Sequence, residues 1–226
     1  LAISYSEFAG NKAANGGALY PRFAAAVTTI YGSSFHDNQA TDTTNGWGGA
    51  ILIWDGANAN VQHSSFSNNK ARDGGAIHVF ANATLVFDTD TADHNHATAL
   101  NGGAITNHGT ATITHATLSY NDAKNVGGGI GNDATLTLTA STLNNNSANS
   151  GGGVYNSGAS PTLTNVTLSG NTAAFGGGFS NTKGNPTIAY STFFGNSATL
   201  SGGGIENGTY SNQSIKNKNT VIAASA

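Results

Sequence analysis

One stretch of sequence, Phe66-Ser67-Asn68-Asn69-Lys70-Ala71-Arg72-Asp73-Gly74-Gly75-Ala76-Ile77, contains both halves of a pattern that returns along the whole chain. Its first half reads apolar-x-x-Asn-x-Ala, and its second half reads Gly-Gly-small-apolar. Self-similarity at a period of roughly 20 to 50 residues is the sequence signature of a solenoid, in which each repeat buries its apolar face against its neighbours. The repeat therefore indicates the architecture of the protein.

The first half of the pattern occurs eight times, and every copy has its Asn and its Ala. Its apolar members are Phe8, Phe35, Phe66, Ala92, Leu118, Leu143, Leu168 and Phe193. Its Asn members are Asn11, Asn38, Asn69, Asn95, Asn121, Asn146, Asn171 and Asn196. Its Ala members are Ala13, Ala40, Ala71, Ala97, Ala123, Ala148, Ala173 and Ala198. The copies are separated by 27, 31, 26, 26, 25, 25 and 25 residues.

Each copy is followed by a Gly pair and preceded, five residues before its apolar member, by a further apolar residue. Those preceding residues are Ile3, Ile30, Val61, Phe87, Ile113, Leu138, Leu163 and Ile188. Alternation along a strand points one side chain inward and the next outward. We therefore predict an all-β, right-handed parallel β-helix of about eight coils of roughly 25 residues. Each coil would have three short strands and three corners, and residues 1–226 would form a single domain.

The recurring Asn, Gly and Ala residues have structural roles in this interpretation. Gly pairs permit corners with positive φ and let the backbones of adjacent coils approach closely. The Asn residues are predicted to take the left-handed corner conformation and to form a hydrogen-bonded ladder from coil to coil. Ala after each Asn fits a narrow interior corner.

Composition excludes several classes of function. Charged residues make up only 8% of the chain and the net charge is −3, so nucleic acid is not an expected partner. No apolar run approaches the roughly 18 residues of a transmembrane segment. The absence of Cys excludes disulfides and Cys-based metal sites. The chain starts at Leu1 without Met or a visible signal peptide, so we expect a removed leader or a piece of a longer protein.

The paired GGA(I/L) and FxxN motifs resemble those of the polymorphic outer-membrane protein passengers. The segments Gly151-Gly152-Gly153-Val154-Tyr155-Asn156-Ser157-Gly158 and Asn219-Thr220-Val221-Ile222-Ala223 also resemble bacterial surface β-helix repeat proteins. This resemblance covers nearly the whole chain. It implies an extracellular or cell-surface β-helix with a structural or adhesive role, although a fold by itself does not determine function. We expect no cofactor.

The two Trp residues of the chain fall in the second coil, Trp47 in an insertion between Ala40 and Gly48 and Trp54 after Ile51-Leu52-Ile53. Aromatic faces bind sugar rings by stacking. Trp47 and Trp54, with Tyr31 and His36 near them, are therefore candidate glycan-binding residues. The competing interpretation, which we prefer, is that Trp47 caps a loop and Trp54 covers the outside of the rod.

His and Asp residues concentrate in the third and fourth coils. His63 and His115 take the same lateral position two coils apart, with Thr89 between them, and the intervening coil carries Asp88, Asp90, Asp93, His94 and His96. We predict that Asp90 points outward and could lie beside His63 or His115. This cluster of His and Asp residues could then bind a divalent cation or supply general acid and base groups. A solvated polar face is the simpler interpretation, and we predict no metal there.

Two alternatives to an adhesive or structural role remain open. A polysaccharide lyase or hydrolase would need carboxylates converging in a groove with a basic residue. An ice-binding face is suggested by the outward pairs Thr112/Thr114, Thr137/Thr139 and Thr162/Thr164 on three successive coils. That array breaks at Asn60/Gln62, at Val86/Asp88 and at Ala189, and Thr is in any case common on exposed strands.

The ends of the chain suggest self-association. Leu1 begins in strand phase two residues before Ile3, and only Glu7 and Lys12 are charged before the first Gly pair. Residues Ile215 to Ala226 include Val221-Ile222-Ala223, which could form a ninth partial coil and meet that first edge in another copy. Such a head-to-tail contact would propagate into a filament.

Overall fold

The computed structural model describes residues 1–23, 27–208 and 214–223. All regular elements in this part of the chain are strands of two to five residues, and every strand pairing is parallel. Partners are one repeat apart, so that Ile3 pairs with Ile30 and Phe87 with Ile113. The predicted parallel β-helix of about eight coils is therefore confirmed.

Two sheets of nine strands carry most of the pairing. Sheet A contains the apolar residue that precedes each copy of the first motif, and sheet B contains the apolar member of the motif itself. The strands of sheet A are Ala2–Ser4, Val27–Tyr31, Asn58–Gln62, Thr84–Asp88, Thr110–Thr114, Thr135–Thr139, Thr162–Thr164, Thr187–Ala189 and Lys216–Lys218. Those of sheet B are Glu7–Ala9, Ser34–His36, Ser65–Ser67, Thr91–Asp93, Thr117–Ser119, Thr142–Asn144, Thr167–Ser169, Thr192–Phe194 and Val221–Ala223.

The last strands of sheets A and B form the ninth partial coil that the sequence predicted. Lys216–Lys218 pairs with Thr187–Ala189, and Val221–Ala223 pairs with Thr192–Phe194. Residues 224–226 of the predicted segment lie outside the described residues.

Each coil has a fourth strand position, so the prediction of three strands and three corners was wrong. The Ala of the first motif lies on strands that are mostly of two residues and form sheet C. These strands are Lys12–Ala13, Gln39–Ala40, Lys70–Ala71, His96–Ala97, Asp122–Ala123, Thr172–Phe175 and Ser197–Ser201. A two-residue strand shows no alternation, which is why the sequence pattern did not reveal it.

The apolar residues that follow the Gly pairs begin the strands of sheet D. These strands are Ile51–Ile53, Ile77–Val79, Ile105–Asn107, Ile130–Asn132, Val154–Asn156, Phe179–Asn181 and Ile205–Asn207. In the first coil Leu19 pairs with Ile51 as a single bridge. The outer face of sheet D forms the floor of a groove.

The core is continuous along the rod and is built from stacked rows. Phe8, Phe35 and Phe66 lie ring over ring in sheet B, with centroids 4.6 and 4.9 Å apart. The next member of this row is the small Ala92, and Phe87 of sheet A brings its ring to 5.7 Å from that of Phe66. The large residue in one sheet thus compensates for the small residue in the other, as close packing requires.

The Asn ladder exists as predicted. From Asn11 to Asn171, the side-chain amide of each ladder Asn donates to Oδ1 of the next, as from Asn121 to Asn146 and from Asn146 to Asn171, both at 3.0 Å. The same Oδ1 accepts the backbone N–H of the preceding ladder residue, and the amide of Asn146 also donates to the Leu118 carbonyl. From Asn38 to Asn196 the ladder residues are fully buried. The ladder therefore satisfies polar groups in the interior of a corner.

The left-handed corner conformation belongs to the residue before each ladder Asn, which corrects the prediction. None of the eight ladder residues has positive φ, whereas the eight preceding residues all do. Those residues are Gly10, Asp37, Asn68, His94, Tyr120, Asn145, Gly170 and Gly195. The physical reason is that the ladder residue must direct its amide along the stack, so that the reversal of the chain falls on its neighbour.

The Gly pairs have both predicted roles. Gly74, the first of its pair, has φ of +67°. A Cβ on Gly75, the second, would lie 2.1 Å from the carbonyl oxygen of Gly103 on the next coil. Only Gly permits this close approach.

A second Asn ladder, which the sequence analysis missed, begins at the fourth coil on sheet D. Its members are Asn107, Asn132, Asn156, Asn181 and Asn207, joined amide to Oδ1 at 2.7 to 2.8 Å. The sequence signal was available as apolar-x-Asn directly after each later Gly run, beginning with Ile105-Thr106-Asn107.

Candidate functional site: the groove on sheet D

The outer face of sheet D lies at the bottom of a longitudinal groove, here called the sheet D groove. Its floor consists of the middle residues of the strands, which alternation points away from the core. The floor residues are Leu52, His78, Thr106, Gly131, Tyr155, Ser180 and Glu206. Leu52, His78 and Thr106 are at most 1% exposed although they face outward, so side chains on either side must cover them.

Two rows of residues flank this floor. One row immediately precedes the Gly pairs and consists of Trp47, Asp73, Asn101, Val126, Ser150 and Phe175, several of them joined by single bridges. The other row directly follows the sheet D strands and consists of Trp54, Phe80, His108, Asp133, Ser157 and Thr182. Both rows come from loops, whose side chains vary from coil to coil, and this variation gives the groove its different sections.

Along the first three coils the groove holds an aromatic cluster, defined as Tyr20, Trp47, Trp54 and Phe80. The rings of Trp54 and Phe80 stack with centroids 4.3 Å apart, and Trp47 lies 5.3 Å from Phe80. Tyr20 packs edge-on against Trp54, and the guanidinium of Arg22 lies 5.1 Å from the Tyr20 ring. All four aromatic side chains are half-buried, so the cluster presents part of its surface to solvent.

The structure brings together two of the four candidate glycan-binding residues. Trp47 and Trp54 lie 6.1 Å apart in the aromatic cluster. Tyr31 ends a strand of sheet A, where its ring contacts Tyr5 at 5.6 Å and His63 at 5.1 Å.

His36, the fourth candidate, lies on sheet B. Its ring nitrogens contact Asp37 and Glu7, each at 2.8 Å, and these carboxylates raise the pKa of the imidazole. His36 and Tyr31 therefore do not form one patch with the tryptophans.

The predicted His and Asp group separates into pairs. Asp88, which has its pKa lowered by Thr114 and His115, accepts a hydrogen bond from Thr114 and contacts His115 Nδ1 at 3.1 Å. On other parts of the coil, His94 contacts Asp93 at 2.9 Å and His96 contacts Asp122 at 2.8 Å. His63, Thr89 and His115 do share one corner on successive coils, all with positive φ.

Asp90 is buried, not outward as predicted, and it is not the carboxylate beside His115. It is 1% exposed and occupies a row that elsewhere holds Ser33, Ser64, Ser141 and Ser191. Its Oδ1 accepts the backbone N–H of Ser64 at 2.6 Å, and its Oδ2 has no hydrogen-bond partner. Burial raises the pKa of Asp90 to about 7, because the charged carboxylate loses its hydration.

Next to the aromatic cluster, the groove contains a group of ionisable residues that the sequence analysis missed. The carboxylate and imidazole donor atoms of Asp73, His78 and His108 lie within 4.8 Å of one another. Asp73 Oδ1 accepts a hydrogen bond from Thr106 Oγ1 at 2.7 Å, and burial raises its pKa. His78 is 1% exposed, and burial lowers its pKa to about 3.

His108 completes this group at the edge of the groove. Its Nδ1 lies 2.7 Å from Asp133 Oδ2, a contact that raises the pKa of the imidazole. The signal was hard to read from sequence because the three residues lie on successive coils at unlike positions, one before a Gly pair, one in a strand and one after a strand.

Beyond the third coil the groove is open. One depression is lined by Thr106, His108, Asp133 and Tyr155, and Gly131 leaves its floor low. A second is lined by Val126, Tyr155, Phe175 and Glu206. Hydrogen-bonding groups therefore recur along the rod axis with the coil spacing of about 4.8 Å.

The Thr pairs of sheet A stack as the sequence indicated. Thr112, Thr137 and Thr162 form one row, and Thr114, Thr139 and Thr164 form the next. Asp88 ends the array on one side and Ala189 on the other, and Thr114 is bonded to Asp88. The array thus covers only three coils.

The comparison with protein families identifies one repeat of this chain. Residues 63–79 match the Chlamydia polymorphic membrane protein (Chlamydia_PMP) repeat, which confirms the resemblance seen in the GGA(I/L) and FxxN motifs. No curated protein and no solved structure matches the chain. In residues 1–23, 27–208 and 214–223, no helix is long and apolar enough to cross a membrane.

Proposed function

We propose that this chain is a non-enzymatic, extracellular or cell-surface β-helix protein that adheres to glycans through the sheet D groove. The observation that carries the proposal is the aromatic cluster, which holds both Trp residues of the chain at one end of that groove. The matched repeat, from a membrane protein family, supports the surface location.

Glycans fit the chemistry of this groove better than nucleic acid or an apolar peptide. Sugar rings offer apolar C–H faces to aromatic rings and hydroxyl groups to polar side chains. The aromatic cluster supplies the first contact, while Tyr155 and Glu206 supply hydrogen-bonding groups further along. A groove parallel to the rod axis also suits an extended polymer.

Binding of the purified chain to an array of immobilised polysaccharides tests the proposal. Trp54→Ser copies Ser157 and Trp47→Ser copies Ser150, which take the equivalent positions on a later coil. We expect each variant to lose at least about ten-fold in affinity, because aromatic stacking is lost. Tyr120→Ser, an exposed aromatic residue in a corner before the Asn ladder, is the matched control and should bind normally. An array without any bound glycan, or equal loss in the control, would contradict the proposal.

A polysaccharide lyase or hydrolase is the second candidate, and His108 is the observation that favours it. This imidazole lies in the groove in contact with Asp133 and close to Asp73, so it could transfer a proton. The array polysaccharides should be assayed in solution for new reducing ends and for unsaturated products. Cleavage by the unmodified chain that His108→Gln abolishes would replace the adhesive proposal with the enzymatic one.

We also propose that copies of this chain associate head to tail. Val221 and Ile222 of the last described strand are 56% and 50% exposed, and no described strand pairs with its outer edge. Stacking of another first coil there would bury Ile222, which continues the inward row of Phe193, and would complete the backbone hydrogen bonds.

A further inference from the structure

We propose that Asp73, His78 and His108 form a binding site for a divalent transition metal of the zinc class. One carboxylate and two imidazoles are a common ligand set for zinc. The three side chains come from adjacent coils, and their donor atoms lie within 4.8 Å of one another. Asp73 Oδ1 and His78 Nδ1 are separated by 4.0 Å.

His78 provides an independent indication that this position serves a ligand. Its side chain is buried, and neither of its ring nitrogens has a hydrogen-bond partner. Leaving buried polar atoms unpaired is unfavourable, because they lose their hydrogen bonds to water and gain none in return. The same position on the preceding coil holds Leu52, which is also fully buried, so packing alone does not require an imidazole. A metal bond would satisfy one of these nitrogens.

The surrounding contacts resemble the outer shell of a metal site. Histidine ligands commonly give their second ring nitrogen to a carboxylate, which orients the ring. His108 has this arrangement, since its Nδ1 contacts Asp133 at 2.7 Å and Nε2 remains as the ligand atom. Thr106 orients Asp73 by donating to its Oδ1.

Small movements would convert this geometry into coordination. Zinc–ligand distances of about 2.0 to 2.2 Å place tetrahedral ligand atoms roughly 3.4 Å apart. The Asp73–His78 pair would therefore approach by about 0.6 Å, and no pair of the three would need to approach by more than about 1.4 Å. Thr106 and His108 also line the first open depression, so a fourth position is accessible to water or to a ligand in the groove. Calcium, which takes six to eight oxygen ligands, does not fit two imidazoles.

The test uses the full chain, purified without an affinity tag and freed of metal with a chelator. Co²⁺ is titrated as a spectroscopic probe, because its visible absorption bands report tetrahedral nitrogen and oxygen coordination. Zn²⁺ binding is measured by calorimetry and by displacement of Co²⁺. We expect one metal per chain and an increase in melting temperature on Zn²⁺ addition.

Three variants locate the site. His78→Leu copies Leu52, and Asp73→Asn keeps an acceptor for Thr106; each should weaken Zn²⁺ binding at least about ten-fold. His115→Gln removes the imidazole beside Asp88 and should leave binding unchanged. Circular dichroism verifies that each variant is folded. If His78→Leu does not fold, the Zn²⁺ affinity of Asp73→Asn decides the test. Absence of binding, or binding lost only in His115→Gln, would overturn the proposal.

Discussion

The rings of Trp47 and Trp54 lie 6.1 Å apart with their planes at 40°, in a chain that has no other tryptophan. Trp47 precedes a Gly pair and Trp54 follows the sheet D strand after it, so the two approach from opposite sides of the groove. Tryptophan emission of this protein therefore reports on one place, the aromatic cluster.

The first prediction concerns the ladder. Asn146→Leu should lower the free energy of unfolding by a few kcal/mol, because it removes the side-chain partner of the Asn121 N–H and of the Leu118 carbonyl. It also removes one of the two hydrogen bonds that Asn171 Oδ1 accepts. Urea unfolding followed by circular dichroism measures the change. Asn125→Leu, at an exposed position, is the control and should have little effect. Equal stability of the Asn146 variant and the unmodified chain would show that the ladder is not essential.

The second prediction concerns pH. The pKa of Asp90 is raised from 3.8 to about 7, so its neutral form stabilises the rod below about pH 4 and this contribution is lost as pH rises to about 7. The shift corresponds to at most about 4 kcal/mol. Nearby Asp88 acts in the same direction, since its charge also raises the pKa of Asp90.

Asp90→Ser restores the residue found elsewhere in this row and tests that account. It should raise the melting temperature at pH 8 and change it much less at pH 4, because only the ionised carboxylate is unfavourable. Thermal melts at both pH values measure the difference, with the exposed Asp55→Ser as control. A stabilisation that is the same at both pH values would mean that charge at Asp90 is not the cause.

The third prediction concerns association through the ends. Parallel strands bond through alternate residues, and the carbonyl of Leu1 and the N–H of Tyr5 point to strand Val27–Tyr31. The N–H of Ser4 therefore points to the outer edge, where a second chain would pair. Sedimentation of the unmodified chain should show mass rising with concentration, and Ser4→Pro should abolish the rise while Ser4→Val keeps it. A monomer at every concentration, without filaments in negative-stain images, would exclude this association.

The rows of apolar residues and the first ladder could be read from sequence because each keeps its residue type at a constant spacing. The left-handed corners could not, since residues as different as Gly10, His94 and Tyr120 occupy them, and only the backbone conformation is shared. Asp90 was misplaced because a carboxylate in a row of serines was read as a surface charge.

The site was predictable only in part. Trp47 and Trp54 were recognised because they are the only two of their kind, but their contact with Phe80 depends on the next coil. His78 was not recognised because strand alternation predicts only that its side chain points away from the core. Alternation does not predict that this outward side chain is buried. Loops on both sides cover it, and the conformations of loops do not follow from a repeat pattern.

The central claim is that the aromatic cluster binds glycans, and tryptophan fluorescence tests it most directly. Titration of the unmodified chain with the polysaccharide selected from the array should shift the emission and protect it from quenching by acrylamide, because a bound sugar ring would cover the exposed part of Trp47 and Trp54. The shift should saturate at the affinity found on the array and should be unaffected by Tyr120→Ser. An emission spectrum and a quenching constant that remain unchanged at saturating polysaccharide would contradict the claim and place any glycan binding elsewhere on the rod.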